Sequence, residues 1–421
     1  MRSRFLFSAV LLAPLLLATA CQRAAPVTTE TSPQTAAAES VSAPSAESGS
    51  PQAPAESTSP AAGMRAAHGA PAPAQASKIE AEVVAEGLQV PWALAFLPDG
   101  RMLVTERGGQ LRYIGADGAV SAPITGVPQV HAQGQGGLLD VALSPQFAQD
   151  ALVYLSYAEA GDDGLAGTTL GRGRLIGDRI EGWEVLFRQM PRLSKGGHFG
   201  SRIVFDRDGY LFLALGENNQ RPTSQLLDHL QGKLVRLYPD GTVPDDNPFV
   251  GRDDARAEIW SYGHRNQQGA ALHPDSGALW TSEHGPRGGD ELNIPQAGAN
   301  YGWPLATYGI NYSGQPIPES VGTWAPGTEP PHYYFERSPG LSGMAFYRHE
   351  RFPEWNHSLF LGGLASADLI RLELDGDRIV AEERLLTDLR PRVRDVRQGP
   401  DGFVYVLSET DGRLLRIGLA R

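Results

Sequence analysis

"SRIVFDRDGYLFLALGE", residues 201–217, decides the fold of this 421-residue chain. It begins with a β-branched apolar run, turns at an Asp-Gly pair, and continues as a second apolar run that stops at an acidic residue. Asp-Gly supplies the positive φ that a tight hairpin needs, so the stretch predicts two antiparallel strands. Five related stretches, with starts about 47 to 75 residues apart, begin at Trp92, Leu139, Gln268, Ser342 and Arg394.

Hairpin repeats at this period predict an all-β fold, a six-bladed β-propeller in which each blade is a four-stranded sheet. The strand at residues 81–88 has no partner before it, so we expect it to pair with the strand at 412–419 in the last blade. That pairing closes the ring and removes a free sheet edge. Two β-sandwich domains are the alternative, but they would not produce six units with the same turn pattern.

The N-terminal residues predict export. Residues 1–20 combine two early arginines with a short apolar run, the pattern of a signal peptide. The stretch "LATAC" (17–21) resembles a lipobox, which would make Cys21 the lipidated N-terminus of the mature protein. An ordinary signal peptide, with Cys21 incidental, is the alternative. Gln22 favours retention at the outer membrane, so we expect a bacterial envelope protein on the periplasmic side.

Composition divides the rest of the chain in two. Residues 21–78 are mostly Ala, Pro, Ser, Thr, Gln, Glu and Gly without an aromatic residue, which predicts a disordered tether. Residues 79–421 are predicted to form the propeller. The formal charge of −12 becomes −14 when the two arginines of the signal peptide are removed. A chain this acidic is not expected to bind nucleic acid, or to contact a membrane except through the lipid anchor.

The candidate site residues come just before the predicted inner strands. In a propeller these positions converge on one mouth of the central channel, although they are far apart in sequence. A buried guanidinium needs an anion, and its planar fork suits carboxylates or phosphates. Pairing with blade carboxylates such as Asp395 or Glu217 is the alternative. The residues singled out at these positions are Gln135, His198, Arg265, Asn266, Arg392 and Arg394.

Four motifs carry a resemblance to a known family. "GGHFGSR" (196–202), "SYGHRNQQG" (261–269), "SEHGPRGGDELNIPQAGANYGWP" (282–304) and "RVRDVRQGPDG" (392–402) resemble the soluble quinoprotein glucose and aldose sugar dehydrogenases. The resemblance covers about residues 80–420. It implies a six-bladed propeller that uses pyrroloquinoline quinone (PQQ) and Ca²⁺ to oxidise an aldose at C1, and that passes electrons to a cytochrome or another respiratory carrier.

The resemblance also implies roles for individual residues. His198 matches the general base, and Glu217 matches an aspartate that orients it. Gly285 and Pro286 match the pair whose backbone carbonyls ligate calcium. The residues that match the quinone-binding positions are Gln135, Arg265, Asn266, Arg392 and Arg394.

One position departs from the family pattern. The family has a lysine that contacts the quinone shortly after the strand "LFLGG", whereas this chain has Ala365 and Ser366 there. The loss of that cation should weaken quinone binding. Two other functions therefore stay open: a calcium-dependent lactonase, and a non-catalytic binding or scaffold module of the cell envelope. A lactonase would need several acidic and amide side chains on the ion, where this chain offers arginines.

Overall fold

The structure, a computed structural model, describes residues 66–420. The predicted signal peptide, Cys21 and the tether up to residue 65 lie outside the described residues. The described part is almost entirely β, with one short helix α1 (Phe147–Asp150) and two 3-10 turns (Arg221–Gln225 and Pro353–Trp355). The strands are β1 (Ile79–Ala85), β2 (Pro91–Phe96), β3 (Met102–Glu106), β4 (Gln110–Ile114), β5 (Leu138–Leu143), β6 (Leu152–Ala160), β7 (Ala166–Ile176), β8 (Arg179–Arg188), β9 (Gly200–Phe205), β10 (Leu211–Leu215), β11 (Lys233–Leu237), β12 (Ile259–Tyr262), β13 (Gln267–Leu272), β14 (Leu279–Glu283), β15 (Asp290–Asn293), β16 (Tyr333–Phe335), β17 (Leu341–Tyr347), β18 (Ser358–Gly363), β19 (Asp368–Asp375), β20 (Arg378–Leu385), β21 (Val393–Gln398), β22 (Val404–Ser408) and β23 (Arg413–Leu419).

These strands form six antiparallel sheets, so the predicted six-bladed propeller is confirmed. Blade 1 is β2–β4, blade 2 β5–β8, blade 3 β9–β12, blade 4 β13–β16 and blade 5 β17–β20. Blade 1 has three strands instead of the expected four. The chain after β4 carries Pro123, Pro128 and several glycines, and proline cannot donate to a strand ladder, so only isolated bridges such as Ile114 to Val120 form there.

Blade 6 closes the ring as the sequence predicts. It contains β21, β22, β23 and the N-terminal strand β1, which pairs antiparallel with β23 from Ile79 opposite Leu419 to Ala85 opposite Leu414. The N-terminus of the propeller thus supplies the outer strand of its last blade. Because β1 pairs with β23, neither the first nor the last strand of the propeller is left without a partner.

The core is divided among the blade boundaries. Within residues 66–420 the buried hydrophobic residues form six clusters, and each cluster joins two neighbouring blades. Trp280 of blade 4, for example, packs with Met344 and Leu361 of blade 5. Because each blade buries both of its faces against neighbours, the inner-strand ends are held rigidly around the channel.

Part of the predicted tether belongs to the folded structure. Residues 66–78, which composition assigns to the disordered tether, pack along the outer edges of blades 4 and 5. Ala67 bridges to Tyr333 of β16, and Glu382 N of β20 donates to Pro71 O at 2.8 Å. The composition rule fails here because these contacts use the backbone of the segment, and they cover otherwise free sheet edges. Among residues 66–420, no helical segment has the length and hydropathy needed to span a bilayer.

Candidate active site

The candidate site lies at one mouth of the channel, where the loops that enter the inner strands meet the loops that follow the second strands. A cleft of about 540 Å³ opens there, and Gly285, Pro286 and Ala365 are among its lining residues. A smaller chamber of about 80 Å³ lies alongside, and its lining includes Gln135 and Arg394. The cleft and the chamber share His284, Leu364 and Arg392.

His198 is held in an unusual backbone conformation immediately before β9. Its φ is +53°, a left-handed region that few residues other than glycine adopt. The peptide on either side is fixed: His198 N donates to Gln135 Oε1 at 2.8 Å, and Asn218 Nδ2 donates to His198 O at 2.9 Å. A strained residue that is fixed from both sides is typical of a functional position.

The glycines beside His198 serve packing within the protein. A Cβ at Gly197 would come within 2.1 Å of Asn219 Nδ2, and Gly200 has a φ of +65°. In the structure these glycines allow the loop of blade 3 that carries Glu217 to approach the histidine.

Glu217 contacts the imidazole directly. Its Oε1 lies 3.0 Å from His198 Nδ1, although the two atoms are not aligned as in an ideal hydrogen bond. Its Oε2 accepts from Asn219 N, so the carboxylate has a fixed orientation. Nε2 of His198 has no partner among the described residues and is the ring nitrogen that remains for a ligand. The glutamate side chain is therefore long enough to reach the imidazole of His198.

Burial sets the charge of this histidine. It lowers the pKa of His198 below its usual value near 6.5. Contact with the Glu217 carboxylate raises that pKa and the positive charge of Arg265 lowers it, and the net shift is downward. The imidazole is therefore neutral at neutral pH, the state in which Nε2 accepts a proton.

Glu409 holds three guanidiniums together. It lies 2.6 Å from Arg392 Nε, 3.0 Å from Arg394 Nη2 and 3.8 Å from Arg107 Nη1. Arg394 is buried and also donates to Gln268 Oε1 at 3.0 Å. Glu409, rather than Asp395 or Glu217, is thus the carboxylate partner of two of the predicted arginines, Arg392 and Arg394. Three cations share one anion, so positive charge is left over at the chamber.

Arg265 and Asn266 are positioned by blade 4. Arg265 N donates to Glu283 Oε2 at 2.6 Å, and its Nη1 donates to His284 O at 3.1 Å. Asn266 Oδ1 accepts from Gly200 N at 3.1 Å, which ties it to the strand that follows His198. The structure therefore brings the predicted residues of blades 3 and 4 together.

Buried donors without acceptors mark this region as a ligand site. Nε of Arg107, Arg265 and Arg394 are buried and find no hydrogen-bond acceptor among the described residues, and Nε2 of His284 is likewise buried without a partner there. Leaving a buried donor unpaired costs about 1–3 kcal/mol, so such groups persist where a ligand completes them. A planar ligand with several carboxylates fits this donor set, which is the chemistry of PQQ.

The turn at Gly285 and Pro286 lines the larger cleft. Asp290 fixes this turn, because its Oδ1 accepts from Gly285 N at 2.9 Å while its Oδ2 accepts from Gly340 N and Leu341 N. Asp290 therefore has its oxygens occupied by amides, and backbone carbonyls are the oxygen donors that the turn offers. Calcium accepts carbonyl ligands, so the residues present fit that ion.

Ala365 lies at an exposed turn of the same cleft, where the family lysine would stand. Its N donates to Pro339 O at 2.7 Å, which holds the turn against the loop that enters β17. The next residue, Ser366, does not supply the missing cation either, and its hydroxyl donates to Asp368. The remaining positive charge of the cleft comes from Arg392 and from the exposed Arg287 and Arg337.

Sequence reasoning missed Glu409, Arg107 and His284. Burial lowers the pKa of His284 to about 3, and the nearby Arg265 and Arg394 act in the same direction. The signal for Glu409 was available, because it comes just after the second strand of its blade, as Glu217 does. No comparable pattern marks Arg107 or His284.

The fold and this arrangement define a class: a six-bladed propeller with a histidine and an arginine-rich pocket at one mouth of its channel. A model of the glucose/sorbosone dehydrogenase family matches residues 88–416. Aldose sugar dehydrogenase YliI of Escherichia coli is 58% identical over 343 residues, which cover 80% of this chain and 92% of that protein. The chain belongs to the glucose/sorbosone dehydrogenase family, and the predicted resemblance and oxidoreductase class are confirmed.

Two solved structures of aldose sugar dehydrogenases are similar to this chain in fold and sequence. The soluble aldose sugar dehydrogenase of E. coli in its apo-form has a TM-score of 0.80 and 57% identity, over 82% of this chain and 100% of that one. The PQQ-bound aldose sugar dehydrogenase of Streptomyces coelicolor has a TM-score of 0.68 and 31% identity, again over 82% of this chain and 100% of that one.

Proposed function

We propose that this protein oxidises aldose sugars at C1 to the lactone, with PQQ and Ca²⁺ as its cofactors. The observation that carries the proposal is the set of buried guanidinium N–H groups without acceptors, next to a neutral histidine. When bound, the quinone supplies a two-electron acceptor and the calcium ion a Lewis acid.

His198 is the proposed general base. Its Nε2 would take the proton of the anomeric hydroxyl, because Nδ1 faces Glu217. A deprotonated hydroxyl releases hydride from C1 more readily. Glu217 stabilises the imidazolium that forms and keeps the ring in one orientation.

The arginines are the proposed holders of the quinone carboxylates. Arg265, Arg392 and Arg394 supply guanidinium forks, while Gln135 and Asn266 fix the loops on both sides of His198. Gly285 and Pro286 are the proposed calcium ligands, through their backbone carbonyls.

Reconstitution tests this function. The purified protein is loaded with PQQ and Ca²⁺, and dye reduction is followed with a panel of aldoses. His198→Ala should lower turnover by about 10²- to 10⁴-fold while calorimetry shows nearly unchanged quinone binding. His229→Ala is the matched control, since that histidine pairs with Asp228 at the surface and should leave turnover unaltered. Absence of both quinone binding and activity would reject the function.

We also propose that residues 1–20 are removed on export and that lipidated Cys21 anchors the protein, with residues 22–65 as the spacer. The periplasmic side of the envelope is the proposed location, and an envelope electron carrier is the proposed acceptor. The lipobox-like stretch supports the anchor. Mass spectrometry of the mature N-terminus tests it: an unmodified N-terminus, or cleavage beyond Cys21, would rule the anchor out.

A further inference from the structure

Nearly every cationic side chain in residues 66–420 has a protein partner. The exceptions are five exposed side chains for which that part of the chain offers no hydrogen-bond or ion-pair partner: Lys78, Lys195, Arg287, Arg337 and Arg390. In a chain with a net charge of −12, unpaired cations have many acids available to them. Cations without a partner are therefore unusual in this chain, and their positions indicate where an external anionic group would bind.

Three of the five lie in neighbouring loops at the mouth of the candidate site. Arg287 follows β14, Arg337 follows β16 and Arg390 follows β20. We call these three residues the arginine sector. The loops at 284–289, 336–340 and 386–392 hold four arginines, including Arg392, against the acids Glu336 and Asp388. The sector is thus a positive area on an acidic protein.

Exposed apolar side chains accompany the sector. Tyr312 is 75% exposed and Leu389 59%, and Leu389 directly precedes Arg390. Tyr312 lines the cleft beside Arg287, whose N donates to Ile310 O at 2.9 Å. Arginine and tyrosine are enriched at protein interfaces, and an exposed leucine adds apolar area beside them.

We infer that the arginine sector is the docking surface for an acidic, one-electron-accepting protein. The inference rests on the proposed function, in which oxidation of one aldose to its lactone releases two electrons and two protons. Two acceptor molecules take one electron each, and the protons go to solvent. An acidic partner would be repelled by the rest of this chain and attracted to the sector, which steers it to the mouth of the site.

A small anionic sugar fits the sector less well. Leu389 and Arg390 are exposed but are not among the residues that line the cleft, so a sugar inside the cleft would leave them unused. Electron-transfer complexes are small and short-lived, and a few exposed charges with a small apolar area suit that type of contact.

Binding to the protein without cofactors tests the inference separately from catalysis. Titration calorimetry with an acidic and a basic c-type cytochrome should show binding of the acidic one only. Its affinity should fall about tenfold or more from about 20 to about 200 mM salt. The triple variant Arg287→Gln, Arg337→Gln, Arg390→Gln should bind it about tenfold more weakly or worse.

Lys78→Gln is the matched control, since Lys78 is a free cation just before β1, at the opposite end of that strand from the site. It should bind the acidic cytochrome as the wild type does. With the loaded enzyme, the triple variant should lower the ratio of cytochrome reduction to benzoquinone reduction. Equal binding of both cytochromes would overturn the inference, as would unchanged binding by the triple variant. It also fails if that variant alters only the KM for an anionic sugar such as glucuronate. Absence of turnover with cytochrome binding intact would count against the proposed function alone.

Discussion

Four glutamates occupy the same place in four blades, at or just after the end of the second strand. Each fixes the segment that enters the inner strand of its own blade. Glu106 accepts from Gln89 N at 2.7 Å, and Glu283 accepts from Arg265 N at 2.6 Å. Glu409 holds Arg392, and Glu217 faces His198. The proposed catalytic pair thus uses a structural contact that recurs around the ring, here with an imidazole as the partner of the glutamate.

Glu217→Gln tests what the charge at this position adds. The kcat/KM profile should fall on the acid side with a midpoint at the pKa of His198, which burial holds below 6.5. The carboxylate opposes burial by stabilising the imidazolium, so its removal should move the midpoint to still lower pH. Loss of orientation should also lower kcat by about 10²- to 10⁴-fold. The measurement is a pH–rate profile of the reconstituted enzyme.

Glu106→Gln is the control for that experiment, because Glu106 has the equivalent position in blade 1. It should leave the midpoint of the profile where it is. A midpoint that stays fixed in Glu217→Gln, or moves upward, would mean that Glu217 does not act on the base.

The sequence predicts the site residues that have a distinctive type at a repeated position. His198 and the arginines stand out because loops of an acidic chain would otherwise be acidic. Arg107 does not stand out, since its role depends on a distance to Glu409 across the closure of the ring, from blade 6 to blade 1. The carbonyls of Gly285 and Pro286 have no side-chain signature and are proposed as ligands only through the family resemblance.

At the scale of elements, strand positions follow from the alternation of apolar runs and Asp-Gly turns. The ordered segment 66–78 does not follow, because its stability comes from contacts outside itself. Ser77 is its main attachment: its N and Oγ donate to the Glu383 carboxylate, and its Oγ accepts from Trp355 Nε1 at 3.2 Å. The composition of the segment cannot show that the buried Glu383 carboxylate lies at the edge of blade 5.

Ser77→Ala should therefore destabilise the propeller. It removes one donor from the buried Glu383 and leaves Trp355 Nε1 without its acceptor, a loss of about 1–3 kcal/mol. The measurement is the urea midpoint of the full chain. Gln75→Ala changes an exposed residue of the same segment and should shift stability by no more than about 0.5 kcal/mol. Equal midpoints for the two variants would show that the segment contributes no stability through Ser77.

At the scale of the molecule, every blade boundary is joined by a hydrogen bond at an inner strand. The six donor–acceptor pairs, in ring order, are Thr105 Oγ1 to Leu139 O, Ser156 Oγ to Ser201 O, Arg202 Nε to Gln268 O, Ser282 Oγ to Ser342 O, Ser342 Oγ to Val393 O, and Leu94 N to Asp395 Oδ2. The ring is thus closed by backbone pairing at its rim and by side chains around its channel. The side-chain hydrogen bonds around the channel were not predictable from the sequence, because serine and threonine in strands have many other roles.

Asp395 joins this ring to a buried ionic group. With Asp140 it faces Arg202 and Arg397, at distances of 2.8 to 3.2 Å, so two carboxylates balance two guanidiniums contributed by blades 2, 3 and 6. Asp395→Asn keeps an acceptor for Leu94 N but leaves one positive charge uncompensated. It should lower the free energy of unfolding by about 3–5 kcal/mol, measured by urea denaturation. Adding Arg202→Met should restore part of that loss, because the unbalanced charge is then removed. If the double variant loses as much as the two single changes combined, charge balance is not what holds these three blades together.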